Sequence, residues 1–208
     1  MRVLLADDHQ IVRQGLRGLL EKAGHEVVGE ASDGHEALRL ARTLSPDVAV
    51  LDLSMPHLNG LDAAREMHRV VPEIKTILLT MFTDKEYVLQ AMKAGAKGYV
   101  LKTQAAEDLI RAIREISRGE VYLSPGVAAS VVEAYLDRSD APADRLTPRE
   151  RQILQLIAEG NTTKEVAGLL NISFKTAESH RNHIMKKLDL HDVAGLVRYA
   201  VKRGLVHP

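Results

Sequence analysis

The sequence predicts two domains of different class. The first is α/β, a five-stranded parallel sheet with helices on both faces; the second is all-α, with four helices. Three observations carry this. Over residues 1–120, short apolar runs alternate with stretches of helical spacing, the pattern of strands joined by crossover helices. Over residues 144–208 only the helical period remains. Between them, residues 121–143 are expected to form a partly helical linker, and its end, Asp137-Arg138-Ser139-Asp140-Ala141-Pro142-Ala143, has the small, polar composition of a flexible segment.

Strands are predicted at Val3–Ala6, Val27–Val28, Val48–Leu51, Ile77–Thr80 and Gly98–Leu101. Helical spacing of Val12, Leu16, Leu19 and Leu20 opens the intervening set, and Leu109, Ala112, Ile113 and Ile116 close it. Leu38 with Ala41, Leu61 with Met67, and Val88 with Ala91 and Met92 mark the three helices between. Turn clusters such as Ser32-Asp33-Gly34 and Ala94-Gly95-Ala96 separate the elements. Ser124-Pro125 can start a further helix with proline at its first position, and Val127, Val131, Ala134 and Tyr135 give it a weak apolar stripe.

In the second domain, Thr147-Pro148-Arg149-Glu150 combines a capping box with proline at the first helical position. Ile153, Leu154, Ile157 and Ala158 form the buried stripe, and Gly160 ends the helix. Thr162 to Glu165 offers a second box before a short helix that turns Val166, Ala167, Leu169 and Leu170 inward. Asn171-Ile172-Ser173 makes a tight turn, and Ser173 caps a longer helix running to Leu188. Asp192 caps a fourth that ends near Gly204. A short helix, a tight turn and a longer polar-faced helix are the signature of a helix-turn-helix.

The 208 residues contain no cysteine, which excludes disulfides, thiolate nucleophiles and thiolate zinc sites. No apolar run approaches the roughly 20 residues of a membrane span, and the N-terminus lacks a signal-peptide core. A cytoplasmic location is expected. Net charge is zero, yet residues 1–143 carry 17 Lys+Arg against 21 Asp+Glu and residues 144–208 carry 11 against 7. The basic second piece suits an anionic partner. With no tryptophan and 3% aromatics, recognition of single strands by base stacking is not expected.

Asp52 ends the run Val48–Leu51 and begins a turn. Asp7-Asp8, Thr80 and Lys102 likewise end apolar runs, and strand carboxyl ends are where open α/β sheets bind ligands. Two unit charges about 4 Å apart repel by roughly 4 kcal/mol at an effective dielectric near 20. Three converging carboxylates therefore call for protons or a cation, and Mg²⁺ with oxygen ligands both relieves the repulsion and holds a phosphoryl group. Lys102 adds a positive charge for phosphate oxygens and Thr80 a hydroxyl donor. Asp52 is placed as the nucleophile.

On these residues, together with Met55-Pro56, Asn59-Gly60 and Gly98-Tyr99-Val100-Leu101-Lys102, the first 120 residues resemble a receiver domain of bacterial two-component response regulators. The resemblance implies a flavodoxin-like fold and phosphorylation of Asp52 by a histidine kinase. It implies metal binding by Asp8 directly, by Asp7 through water, by Asp52, and by the Ser54 backbone carbonyl. Thr80 and Tyr99 match residues that move together when phosphate arrives. Met81 stands where many receivers carry a small residue, and Ser54 and Phe82 stand where phosphate lifetime is tuned.

Residues 144–208 resemble the LuxR/FixJ-type helix-turn-helix, carried by Leu146 to Arg151, Ala158-Glu159-Gly160, Lys164 to Ala167, and Ser173 to Leu188. Ala177 departs from the family's usual valine. The last helix presents Val193, Leu196, Val197, Ala200 and Val201 at helical spacing; some cover the domain's own core, and part of the stripe is expected to pair with a second subunit, giving a two-fold homodimer, when active, on a palindromic double-stranded site. By the resemblance, Glu178, Ser179 and Asn182 would read base edges, and Lys164, Lys175, Thr176, Arg181 and Lys186 would meet phosphates. His180 and His183 lack a matched ligand set, so no metal is expected there. The whole chain thus resembles a NarL/FixJ-class response regulator.

Two alternatives stand beside this reading. An aspartate-nucleophile phosphatase of the haloacid-dehalogenase type wants aspartate where this chain has Ser54, and a cap insertion for which there is no room. A receiver-fold transcription factor could instead be regulated by dimerisation or other means without phosphate. The intact acidic set and Lys102 argue against that.

Overall fold

A computed structural model describes residues 1–136 and 146–206, with the side chains of 104–106, 130 and 132–136 left out. The readings made for Ala134, Tyr135 and Asp137–Ala143 lie outside that description. The chain divides into two compact units, residues 1–139 and 140–208.

In the first unit the elements alternate: β1 (Arg2–Ala6), α1 (Gln10–Lys22), β2 (Glu26–Ala31), α2 (Gly34–Leu44), β3 (Val48–Asp52), α3 (Gly60–Val70), β4 (Lys75–Thr80), α4 (Lys85–Lys93), β5 (Gly98–Leu101), α5 (Ala105–Ser117), β6 (Tyr122–Leu123) and α6 (Pro125–Leu136). The sheet order is β2-β1-β3-β4-β5-β6, with every pair parallel. The five predicted strands are joined by a sixth of two residues. It escapes a periodicity reading because two residues have no period; only its pairing with Gly98 and Tyr99 defines it.

Side chains alternate across the sheet and build two cores. On one face Val3, Leu5, Val48, Val50, Ile77, Leu79 and Val100 pack with Leu16 and Leu20 of α1 and Leu109, Ile113 and Ile116 of α5. On the other, Leu4, Ala6, Ala49, Leu51, Leu78 and Tyr99 pack with Ala37, Ala41, Ala63, Met67, Val88 and Ala91 from α2, α3 and α4. Val127 of α6 is fully buried in this second core and the half-buried Val131 packs against it. A sheet covered on both faces explains why its strands read as near-continuous apolar runs. The order reverses between β1 and β3, so the crevice at their carboxyl ends is the topological switch point.

The second unit contains α7 (Pro148–Ala158), α8 (Thr163–Leu169), α9 (Phe174–Leu188) and α10 (Val193–Lys202). Its caps follow the sequence signals. Thr147 with Glu150 and Thr162 with Glu165 form complete capping boxes, Ser173 accepts from Thr176 N, and Asp192 accepts from Gly195 N. Gly160 follows α7 at φ +94°, where a side chain would be strained. Ile153, Leu154, Val166, Ala177, Ile184, Leu196 and Ala200 close one small core. Leu169 departs from the inward placement expected of it and is 57% exposed at the end of α8. In α8 the inward side is taken by Val166 and Ala167. No helix among the described residues is long and apolar enough to cross a membrane.

Candidate functional site

The carboxyl ends of β1, β3, β4 and β5 deliver Asp7-Asp8, Asp52, Thr80 and Lys102 to one crevice. Asp7, Asp52 and Thr80 are each at most 2% exposed. Lys102 lies one residue past β5 and turns inward: its Nζ is 2.9 Å from Asp7 Oδ2 and 2.9 Å from Asp52 Oδ1. The turn after β3 is held by Gly60, whose N–H donates to Leu53 O at 2.9 Å. Asn59 caps α3 by accepting from Asp62 N, and its amide donates to Asp62 Oδ2. Asp62 in turn pairs with Arg65.

Burial pushes the Asp52 carboxyl above the ordinary aspartate range; Lys102 opposes that, and Asp7 and then Asp8 add to it. Burial alone would lower Lys102, but Asp52 and Asp7 hold it above the ordinary lysine value. The ammonium is therefore charged at neutral pH. Lys102 pairs with two of the three carboxylates, and the third, Asp8, lies beside His9. Asp52 Oδ2 is buried with no hydrogen-bond donor among the described residues. Asp8 Oδ1 is also buried without a donor of good geometry, although His9 Nδ1 lies 2.8 Å away. Asp7, Asp8 and His9 bring ligand atoms within 4.8 Å of one another. Buried acceptors left over in a pocket of excess negative charge fit a hard divalent cation.

His9 is the residue that sequence reasoning passed over. It stands beside Asp7-Asp8 in the chain, and its backbone N–H donates to Asp7 Oδ1 at 2.8 Å. That bond anchors the Asp7 carboxylate at the start of α1.

The Thr80–Tyr99 pair is also assembled. Tyr99 is fully buried and its hydroxyl donates to Phe82 O at 2.9 Å, while Thr80 Oγ1 accepts from Phe82 N at 3.1 Å. Burial holds the Tyr99 phenol well above its ordinary pKa, with Thr80 acting in the opposite direction. Met81 is 60% exposed, so its bulk lies in solvent rather than against Thr80.

In the second unit, α9 turns about 100° per residue, which places Lys175, Glu178, Ser179, Asn182 and Lys186 in one stripe about 100° wide. All five are exposed, and the buried Ala177 and Ile184 lie on the opposite side. Lys164 is exposed on α8. Thr176 falls outside the stripe, its hydroxyl 2.8 Å from the cap Ser173 Oγ. Arg181 is half-buried and reaches toward Thr163 Oγ1 of α8 at 3.5 Å. Lys187 is occupied within the domain: its Nζ is 2.6 Å from Glu150 Oε2, which ties α9 to the capping box of α7. Nothing in the sequence pairs residues 37 positions apart; only the fold does.

Residues 3–114 match the response regulator receiver domain, and residues 144–200 match the bacterial regulatory proteins of the luxR family. The chain belongs to the two-component response regulators. It is 43% identical over 210 residues to the transcriptional regulatory protein LiaR of Bacillus subtilis, with all of both chains covered. Among solved structures it resembles the RcsB response regulator of Salmonella typhimurium, at 31% identity and TM-score 0.70, with 97% of each chain covered. A second RcsB structure, from Salmonella enterica serovar Typhimurium, is bound to promoter P1flhDC in the presence of a beryllofluoride phosphomimetic. It matches at 31% identity and TM-score 0.68 over 97% of this chain and 98% of that one. This response regulator thus pairs a receiver with a LuxR-type DNA-binding domain, and its class consists of transcription factors rather than enzymes in general.

Proposed function

We propose that this response regulator accepts a phosphoryl group on Asp52 from a histidine kinase in the cytoplasm and, as a homodimer, binds a palindromic double-stranded DNA site to control transcription. Residues 1–120 would serve as the receiver and 144–208 as the DNA-binding part. The observation that carries the reading is the Lys102 ammonium held 2.9 Å from both Asp7 and Asp52, with Asp52 Oδ2 left without a donor.

Asp7, Asp8, Asp52 and the Ser54 carbonyl would hold Mg²⁺, which supplies charge neutralisation for the transferring phosphoryl group. Asp52 attacks phosphorus through a carboxylate oxygen, and the bond to the donor's imidazole nitrogen breaks. Lys102 then exchanges its contact with Asp52 for a phosphoryl oxygen. The Thr80 hydroxyl donates to another. Because Tyr99 is already buried on Phe82 O, phosphate acts by stabilising this arrangement over one in which Tyr99 is released. Return of Asp52 to the free carboxylate uses water at the same site, so this catalysis acts on the chain itself.

On the DNA side, Asn182, Ser179 and Glu178 meet base edges in the major groove, while Lys164, Lys175 and Lys186 meet phosphates. Thr176 and Arg181, outside the stripe, would reach phosphates at its margins.

Intact-mass measurement with acetyl phosphate tests the chemistry. The wild type should gain one phosphoryl group only with Mg²⁺ present, and Asp52→Ala should gain none. A full mass shift in Asp52→Ala would sink the assignment.

A further inference from the structure

Leu101 ends β5 and hands the chain directly to Lys102. Residues two apart in a strand present their backbone groups to the same side, so Leu101 N–H faces the β6 edge as Tyr99 does. But β6 ends at Leu123, and a side chain takes over there. Leu101 N donates to Ser124 Oγ at 3.2 Å, and Ser124 Oγ donates to Asp108 Oδ2 of α5 at 2.7 Å. Ser124 N donates to Tyr99 O at 3.0 Å. Ser124 itself is fully buried. The same residue begins α6: its carbonyl accepts from Val127 N at 2.8 Å and Ala128 N at 3.1 Å.

We infer that Ser124, aimed by Asp108, is a positioning residue for Lys102, and that it joins the phosphate site to the start of α6. The inference rests on the phosphoryl reading of Asp52. The Lys102 stem is flexible, so the reach of its ammonium is set by where its backbone stands. That backbone follows a strand end whose last N–H is closed by a hydroxyl rather than by a sheet carbonyl. A carbonyl is fixed by its own ladder, whereas the Ser124 hydroxyl is oriented by one further bond, to Asp108. Removing either partner leaves a buried donor or a misdirected hydroxyl at the point where β5 becomes the phosphate site. Metal affinity is carried from β1 and β3, not from β5, so the two functions separate.

The test uses the full chain and the variants Ser124→Ala, Asp108→Ala and Asp108→Asn. Intact mass gives the initial rate of phosphate incorporation from acetyl phosphate with Mg²⁺. Calorimetric titration with Mg²⁺ alone gives metal affinity. Both alanine variants should lose about three- to tenfold in rate. Asp108→Asn keeps an oxygen acceptor and should recover most of it. Mg²⁺ affinity should stay within about twofold of wild type throughout. Amide exchange at Val127 and Ala128 should quicken in both alanine variants. Asp108 is only half-buried, so Asp108→Ala stays informative if Ser124→Ala does not fold. Wild-type rates in the folded alanine variants would overturn the inference. So would an Asp108→Asn as slow as Asp108→Ala, an equal loss of Mg²⁺ affinity, or unchanged exchange at α6. A wild type that takes no phosphate at all would overturn the Asp52 reading, and this inference with it.

Discussion

Gly60→Ala perturbs the phosphoacceptor through its own backbone. A Cβ at Gly60 would stand 2.1 Å from Asp52 O, 2.9 Å from Asp52 C and 3.1 Å from Leu53 Cα. All three are main-chain atoms, so no side chain can swing away. Ordinary contact begins near 3.4 Å, so the Asp52–Leu53 peptide or the start of α3 must give way by about 1.3 Å. Overpacking of this kind costs about 1–3 kcal/mol. A misplacement near 1 Å at a reacting group can cost about a hundredfold in rate. Gly60→Ala should therefore melt several degrees lower and take phosphate from acetyl phosphate about 10- to 100-fold more slowly. Gly18→Ala is the control: it lies mid-helix in α1 with nothing within 4 Å of the added carbon. It should stabilise by about 0.5–1 kcal/mol without changing the rate. A Gly60→Ala protein with wild-type melting and wild-type phosphorylation would refute the steric reasoning.

Three further outcomes are expected. Asp52→Asn removes one of three clustered carboxylates, whose neighbours Asp7 and Asp8 both disfavour its charge, while keeping an acceptor for Lys102, so in EDTA at neutral pH its thermal midpoint should rise by roughly 2–4 °C; a lower midpoint would show that the charge is not the costly element. Glu150 is held below its ordinary pKa: burial opposes this, but Lys187 and Thr147 outweigh it. Its contribution is therefore fully present above the unfolded value near 4.5 and fades as pH falls through the lower folded value. Glu150→Gln should flatten the acid limb of stability of the second unit between pH 5 and 3, approximately, followed by circular dichroism; an unchanged limb counts against the Lys187 contact. Asn182→Ala should cost about 1–3 kcal/mol on the best DNA site and flatten preference at one position, whereas Lys186→Ala should weaken all sites alike and reduce the salt slope by about one. Titrations on matched and substituted sites at several salt concentrations decide it, and swapped phenotypes would reverse the two roles.

The five main strands, their helices and every N-cap of the second unit were legible because each rests on local physics. Apolar period, strand-end polarity and Ser/Thr/Asp caps need only neighbours in sequence. The acidic set was legible for the same reason: Asp7, Asp52, Thr80 and Lys102 each stop an apolar run, and a parallel sheet collects such ends. What a periodicity reading could not see depends on contacts between distant residues. The two-residue β6 exists only by pairing with β5. The inward turn of Lys102 follows from two carboxylates on other strands. Helical period already sets Lys187 beside the α9 stripe, but its pairing with Glu150 on another helix comes only from the fold. Ser124 shows the division most clearly. Its place before Pro125 marks a helix start, which sequence states. Its bonds to Leu101 and Asp108 arise only when β5, α5 and the chain end of the sheet meet, because a hydroxyl selects its partners by proximity and not by pattern.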